Sequence, residues 1–235
     1  MTKEALEKEA DFAETKMLVE CHSDYTKKKS YILRGECMKD WNGNSKAVYV
    51  TNGDSSYSTH ERETRDYYAT DPRAVEALLK REKFNRYILE PACGGGHISE
   101  VLKAHDYDVT CADIIERDYD GQEYTADFLR DNLVWCGDII TNPPYKYAAE
   151  FVEHALEIIP EGHKVAMFLK LTFLEGEKRR ALFQQNPPRK IYVFTKRINC
   201  ALNGEEKFFN ASSAVCYAWF VWKKGSRTKP EVDWI

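Results

Sequence analysis

"YILEPACGGGHISEVL", residues 87–102, runs from an apolar segment through Glu90-Pro91 and three glycines into a stretch with helical spacing. Glycines at such a turn let the backbone reach positive φ and pass close to a ligand. A carboxylate at the strand end can accept hydrogen bonds from a cationic or hydroxyl-bearing group. The G-x-G-x-x-G nucleotide fingerprint is incomplete, because Gly94-x-Gly96 is followed by Ser99, and no Gly-Lys-Ser/Thr is present. Phosphate binding is therefore unsupported. On this stretch alone, a plain strand-to-helix turn remains the alternative.

The same alternation continues outward. Segments 86–91, 108–114, 123–128, 138–143, 164–171, 189–196 and 214–224 are short, β-branched or aromatic, and bounded by polar or turn residues. They make seven candidate strands. Helical stripes lie between several of them. Ala74, Val75, Leu78 and Leu79 share one face in 71–83, with Asp71 a candidate N-cap and Pro72 suited to the first turn. Phe151, Val152, Ala155, Leu156 and Ile159 share a face in 146–159, and Pro160 ends that helix. Such alternation predicts a mostly parallel sheet covered on both faces. The link 197–213 shows no helical stripe, so the last two strands are expected to pair antiparallel. Residues 1–66 form an N-terminal extension. Its first twenty residues look helical, and the rest is rich in turn signals, with Asn52-Gly53 a possible hairpin. Residues 67–235 form the main domain.

A chain of 235 residues with 43% hydrophobic and 31% charged content can bury a full core. No run approaches the length of a membrane span, and "MTKEALEKEADFAETK" has no apolar signal-peptide region, so a cytoplasmic protein without a membrane partner is expected. Seven scattered Cys without C-x-x-C predict reduced thiols and no metal site. The net charge of −4 argues weakly against nucleic acid, but its distribution argues the other way. Residues 163–235 hold 14 Lys/Arg and 6 Asp/Glu, a balance of +8 that leaves −12 for the first 162 residues. This asymmetry hints at a basic face, although a solvated surface explains charge runs equally well.

Asp113 ends the second candidate strand, 23 residues after Glu90, where a ribose diol can be bound. Ile114 beside it can lie against an adenine. In "TADFL", Asp127 can accept from an adenine amino group with Phe128 packing nearby. "DIITNPPYKY", 138–147, places Asn142, Pro143, Pro144 and Tyr145 directly after the fourth strand. The chain holds its own control, because "QQNPPRK" at 184–190 has the same three residues without an aromatic. That second copy follows a helix and is expected to stop it.

In order and spacing these motifs resemble the DNA adenine-amino methyltransferases that use S-adenosylmethionine, especially small phage- and prophage-encoded members. The family's glycine turn, D/E-P-x-x-G-x-G, is similar to Glu90-Pro91-Ala92-Cys93-Gly94-Gly95-Gly96. Its catalytic loop, D/N-P-P-Y/F/W, is similar to Asn142-Pro143-Pro144-Tyr145. Its aromatic-x-Thr-x-Pro element is similar to Tyr68, Thr70 and Pro72 in "YATDP". The resemblance spans about 66–224 and implies the class I methyltransferase fold, a Rossmann-like, seven-stranded, mostly parallel sheet with an antiparallel last strand. It implies S-adenosylmethionine as cofactor, held by Tyr68, Thr70, Glu90, Ala92, Gly94, Gly96, Asp113, Ile114, Asp127, Phe128 and Asn142. It implies duplex DNA as partner and a setting in phage genomes or restriction–modification.

The chemistry of the loop agrees. The adenine 6-amino nitrogen is a poor nucleophile because the ring shares its lone pair. Two acceptors aimed at its hydrogens, the Asn142 side-chain carbonyl and the Pro143 backbone carbonyl, favour a tetrahedral nitrogen. Pro143 is restricted by its own ring and by Pro144. Tyr145 offers a face to a flipped base. Only 48 residues separate Gly94 from Asn142, so no recognition domain fits between them. Target reading is then expected from 1–66, from 197–213 or from a partner. The basic residues Lys178, Arg179, Arg180, Arg189, Lys190, Lys196 and Arg197 can track phosphates. An NPPY loop also occurs in enzymes acting on RNA adenine or on a release-factor glutamine amide, and a non-catalytic binding module is a further alternative. The Glu-Pro form of the glycine turn favours adenine.

Overall fold

A computed structural model describes residues 68–202, 204–205, 209–210 and 215–235. The expectations for 1–66, their boundary at 67 and part of the 197–213 link lie outside the described residues. In chain order the elements are β1 (Tyr68–Thr70), α1 (Pro72–Leu79), β2 (Tyr87–Glu90), α2 (His97–Ala104), β3 (Asp108–Asp113), β4 (Tyr124–Thr125) and β5 (Asp138–Thr141). They continue with α3 (Ala148–Ile158), β6 (Lys164–Lys170), α4 (Arg180–Gln185), β7 (Lys190–Val193), β8 (Cys200–Leu202), β9 (Tyr217–Lys223) and β10 (Glu231–Trp234).

Eight strands form the main sheet in the order β10-β7-β9-β6-β5-β2-β3-β4. From β2 the chain winds outward through β3 to β4, then returns to the other side of β2 with β5 and β6. The order therefore reverses between β2 and β5, which pair in parallel with Ile88 opposite Asp138 and Leu89 opposite Ile139. Strand β9 runs antiparallel to both neighbours, with Lys164 opposite Lys223 on one side and Lys190 opposite Val221 on the other. All seven sequence-derived strands are present, although 123–128 shrinks to Tyr124–Thr125. Two expectations need correcting. The sheet has eight strands rather than seven, and the last strand in the chain is β10, which pairs parallel to β7. Segment "EVDW" alternates polar and apolar over only four residues and leaves Val232 and Trp234 exposed, so its pairing with β7 makes it a strand. Outside the sheet, β1 and β8 pair antiparallel, with Tyr68 opposite Leu202 and Thr70 opposite Cys200.

Side chains alternate between the two faces of the central strands, and because both faces are covered, burial along them is nearly continuous. Ile88, Val109, Cys111, Ile140, Ala166, Phe168, Trp219 and Val221 join Ala74, Val75 and Leu78 of α1 and Ile98 and Leu102 of α2 in one apolar cluster. The intervening Leu89, Ala112, Ile139, Val165, Met167, Phe220 and Trp222 are buried as well, and α3 packs against β6. The α3 stripe is as the spacing predicts: Phe151, Val152, Ala155, Leu156 and Ile159 are all buried. Asp71 caps α1, accepting from the Arg73 N–H at 2.9 Å. The Trp219 indole N–H donates to the Ala74 carbonyl at 2.8 Å and pins α1 to the sheet. Cys93, Cys111, Cys200 and Cys216 are free thiols. No described helix is long and apolar enough to cross a membrane.

Candidate active site

The glycine turn leaves the carboxyl end of β2 and opens α2. Gly94 and Gly96 adopt φ of 52° and 77°, the left-handed region that favours glycine. Asp113, at the end of the neighbouring β3, holds the turn. One carboxylate oxygen accepts from the Gly94 N–H at 2.9 Å, and the other accepts from the Ile115 N–H at 3.1 Å and from the Arg117 guanidinium at 3.3 Å. Asp113 is thus engaged by its own chain, and a ribose hydroxyl would share it with Arg117. A Cβ on Gly96 would fall 2.3 Å from the Tyr119 ring, so the Gly96 surface is covered by that ring, and Tyr119 also bonds Glu100 and Lys103 of α2.

Glu90 is 1% exposed at the end of β2 and accepts from the Ser99 hydroxyl. Burial pushes its carboxyl up to about 8; the Ser99 hydrogen bonds oppose this and the nearby Asp113 charge adds to it. A buried carboxylate with so little compensation is suited to receiving a cationic group. Ala92 is half-buried in the same turn, and Ile114 stands 59% exposed beside Asp113. Asp127 is tied locally to the Leu129 N–H at 3.2 Å and to Arg130 at 3.4 Å. Phe128 is core, its ring 4.9 Å from both Phe151 and His154 of α3. It presents no free face beside Asp127.

Asn142 follows β5 directly, and the parallel pairing of β5 with β2 sets it beside the glycine turn. This is the switch-point crevice in which open α/β sheets bind ligands. The Asn142 amide nitrogen donates to the Tyr68 carbonyl at 2.8 Å and lies 3.8 Å from Cys200 Sγ. Pro143 is buried and Pro144 exposed. Tyr145 opens a short 3-10 turn, Tyr145–Tyr147, that leads into α3. Its ring is half-buried beside Tyr217 (centroids 6.1 Å apart), its hydroxyl lies 3.4 Å from Cys200 Sγ, and the Lys170 ammonium sits 5.2 Å from its centroid. Burial raises the Tyr145 phenol well above its ordinary range.

Two hydroxyls at this end of the molecule are buried without a hydrogen-bond partner, Thr70 Oγ1 and Thr141 Oγ1. An unpaired buried hydroxyl costs about 1–3 kcal/mol, so each is a polar group that the described residues leave unsatisfied. By contrast, the second NPP sequence is the stop that the control predicts: α4 ends at Gln185, and Asn186 caps it.

Sequence reasoning placed the glycine turn, Glu90, Asp113 and the 142–145 loop at one sheet edge. It missed Ser99, Arg117, Tyr119, Thr141, Lys170, Cys200 and Tyr217. Lys170 and Tyr217 were detectable in principle as polar tips of apolar strands. Cys200 and Tyr119 carry no local signal.

No protein-family model matches the sequence, and no curated protein matches it. Among solved structures, the chain is similar to a class I S-adenosylmethionine-dependent methyltransferase candidate from Listeria monocytogenes, at 16% identity and a TM-score of 0.51, over 75% of this chain and 68% of that one. It is equally similar to a hemolysin candidate from Lactococcus lactis, at 11% identity and a TM-score of 0.51, over 69% of this chain and 91% of that one. At such identities the likeness speaks to architecture alone. Together with the strand order and the antiparallel β9, it shows that the chain has the fold of the class I S-adenosylmethionine-dependent methyltransferases.

Proposed function

We propose that the chain transfers a methyl group from S-adenosylmethionine to the 6-amino group of adenine in DNA. One observation carries this reading: the Asn142 amide nitrogen is held by the Tyr68 carbonyl at the switch-point edge, which leaves the amide oxygen to accept from a substrate. A carbonyl aimed outward from a fixed amide is the acceptor that a planar amino group needs.

The residues fit the cofactor in part. The unpartnered Thr70 and Thr141 hydroxyls and the Glu90 carboxyl, only partly compensated by Ser99, suit a zwitterionic ligand with hydroxyl groups. Asp113 receives the ribose diol in competition with Arg117, while the exposed Ile114 offers an apolar surface to the adenine. Asp127 and Phe128 contribute shape more than contact. When bound, the cofactor supplies an electrophilic methyl on a sulfonium.

The chain's own work is to prepare the nucleophile. Asn142 Oδ1 and the Pro143 carbonyl accept the two amino hydrogens and draw the nitrogen out of conjugation. Fixed dipoles set before reaction are where electrostatic catalysis gains most. Tyr145 supplies the stacking surface, and Lys170 must swing off the ring as the base arrives. Its flexible four-carbon stem permits that. Lys146, Lys170, Lys178 and Arg180 then track phosphate, and target reading falls to 1–66, to 197–213 or to a partner.

The deciding experiment offers labelled S-adenosylmethionine with duplex DNA, RNA and release factor side by side, followed by digestion to nucleosides. Methylated adenine in DNA is expected. Label in RNA or release factor with none in DNA would refute the substrate assignment and leave the cofactor reading intact. Absence of cofactor binding by calorimetry, with folding verified, would refute both.

A further inference from the structure

Asn142 can serve as an acceptor only if its amide is turned the right way, and the β1–β8 pair controls that turn. The Tyr68 carbonyl cannot donate, so the Asn142 atom 2.8 Å from it must be the nitrogen; the opposite orientation would set two oxygens against each other. The same nitrogen lies 3.8 Å from Cys200 Sγ, within reach for sulfur as acceptor. Tyr68 and Cys200 lie at the two ends of β1 and β8, in one antiparallel pair whose register sets Thr70 opposite Cys200.

We infer that Cys200 is a positioning residue for the amide of Asn142. With the Tyr68 carbonyl it takes both amide hydrogens, so the oxygen is left to face the substrate's amino group. Cys200 is itself held by the Tyr145 hydroxyl at 3.4 Å, so the stacking ring and the acceptor amide are set by one thiol. Burial pushes that thiol up to about 11, so it stays a neutral hydrogen-bonding group and is a poor nucleophile at neutral pH. A role in orientation therefore suits it better than covalent chemistry.

This inference rests on the proposed function, and its test separates the two. In ¹⁵N-labelled protein, the side-chain amide protons of Asn142 are identified by their loss in Asn142→Asp. In Cys200→Val, which stays apolar and removes the acceptor, these protons should exchange about tenfold faster, as expected when one modest hydrogen bond is lost. Cys200→Ser, which keeps an acceptor, should stay near wild type. In the transfer assay kcat should fall about fivefold for Cys200→Val and recover in Cys200→Ser, with KM for the cofactor unchanged, as for a group that acts in the transition state only. If Cys200→Val does not fold, Cys200→Ala takes its place.

Wild-type exchange in the acceptor-free variant, or equal losses in the Ser and Val variants, would overturn the positioning role. If the exchange pattern holds but the wild type methylates no DNA, the positioning role stands and the proposed function falls.

Discussion

The two edges of the main sheet differ in how they treat buried carboxyls: Asp113 at the carboxyl edge is paired as fully as Asp138, but Glu90 beside it is not. At the amino edge, Asp138 is 3% exposed and accepts three hydrogen bonds, from the Asn85 N–H at 2.7 Å, the Lys164 N–H at 2.8 Å and the His163 ring at 3.1 Å. Glu82, 5% exposed, pairs with Lys164 at 2.5 Å and accepts from the Tyr192 hydroxyl at 2.6 Å. Burial alone would raise its carboxyl, but these partners outweigh burial and hold it below the ordinary range. At the carboxyl edge, burial of Glu90 wins over the Ser99 hydrogen bonds, and two threonine hydroxyls have no partner. A polar group that the fold has already satisfied serves the fold first, and Asp113 can take a ligand only by giving up part of its pairing with Arg117. One left short of partners in a crevice is held for a ligand, at a cost to stability.

The comparison breaks most readily at Asn142 and Asp138. Asn142→Ala should lose on the order of 10²–10³ in turnover with an unchanged melting temperature, because one oriented acceptor acts only in the transition state. Asp138→Ala should do the reverse: it strands three donors and should destabilise by about 3 kcal/mol in denaturant titration, with cofactor affinity kept. If both substitutions mainly unfold the protein, the division between the edges is wrong.

Tyr145 gives the next largest effect. Tyr145→Ala should cost about tenfold or more in kcat, since base stacking is worth about 1–3 kcal/mol. Tyr145→Phe should retain most of it and lose only what the hydroxyl contributes by holding Cys200. A Phe variant as poor as the Ala variant would place the role in the hydroxyl instead of the ring.

Titration sharpens the contrast. The folded-state Glu90 carboxyl is raised from 4.5 to about 8, so its contribution to stability is fully present below the unfolded value and is lost as pH rises through about 8. Glu82 is lowered, so its contribution is present above the unfolded value and is lost as pH falls through its folded value. Melting temperatures between pH 6 and 9 should fall for the wild type and stay flatter for Glu90→Gln. In acid, Glu82→Gln should flatten the loss. Saturating cofactor should weaken the alkaline slope of the wild type if a cationic group meets Glu90, and an unchanged slope would remove Glu90 from the cofactor site. The smallest effect expected is in DNA affinity. Lys178→Ala should reduce its salt dependence by about one counterion and leave kcat alone.

Much of this was legible locally. Asp71 before Pro72, the 151–159 stripe, the glycine turn and both NPP stops each act within a few residues of chain, and each appears where the spacing puts it. The central strands were legible because two-faced burial demands unbroken apolar runs. Strand β10 was not, because "EVDW" owes its state to the edge of β7. Strand β8 was not, because three residues inside a patternless link became a strand only by meeting β1, some 130 positions earlier.

The sequence by itself determined the α/β alternation, the antiparallel strand before the C-terminal segment, the glycine turn and the place of the Asn142–Tyr145 turn directly after a strand. These depend on backbone preferences and hydrophobic periodicity, which act over neighbouring residues. Only the tertiary structure decided that β2 and β5 flank the switch point, that Arg117 and Tyr119 cover Asp113 and Gly96, and that Cys200 reaches Asn142. Those contacts join distant parts of the chain, and no local pattern encodes them. They exist because the folded sheet leaves each of these side chains one place where its polar atoms and its bulk can both be accommodated.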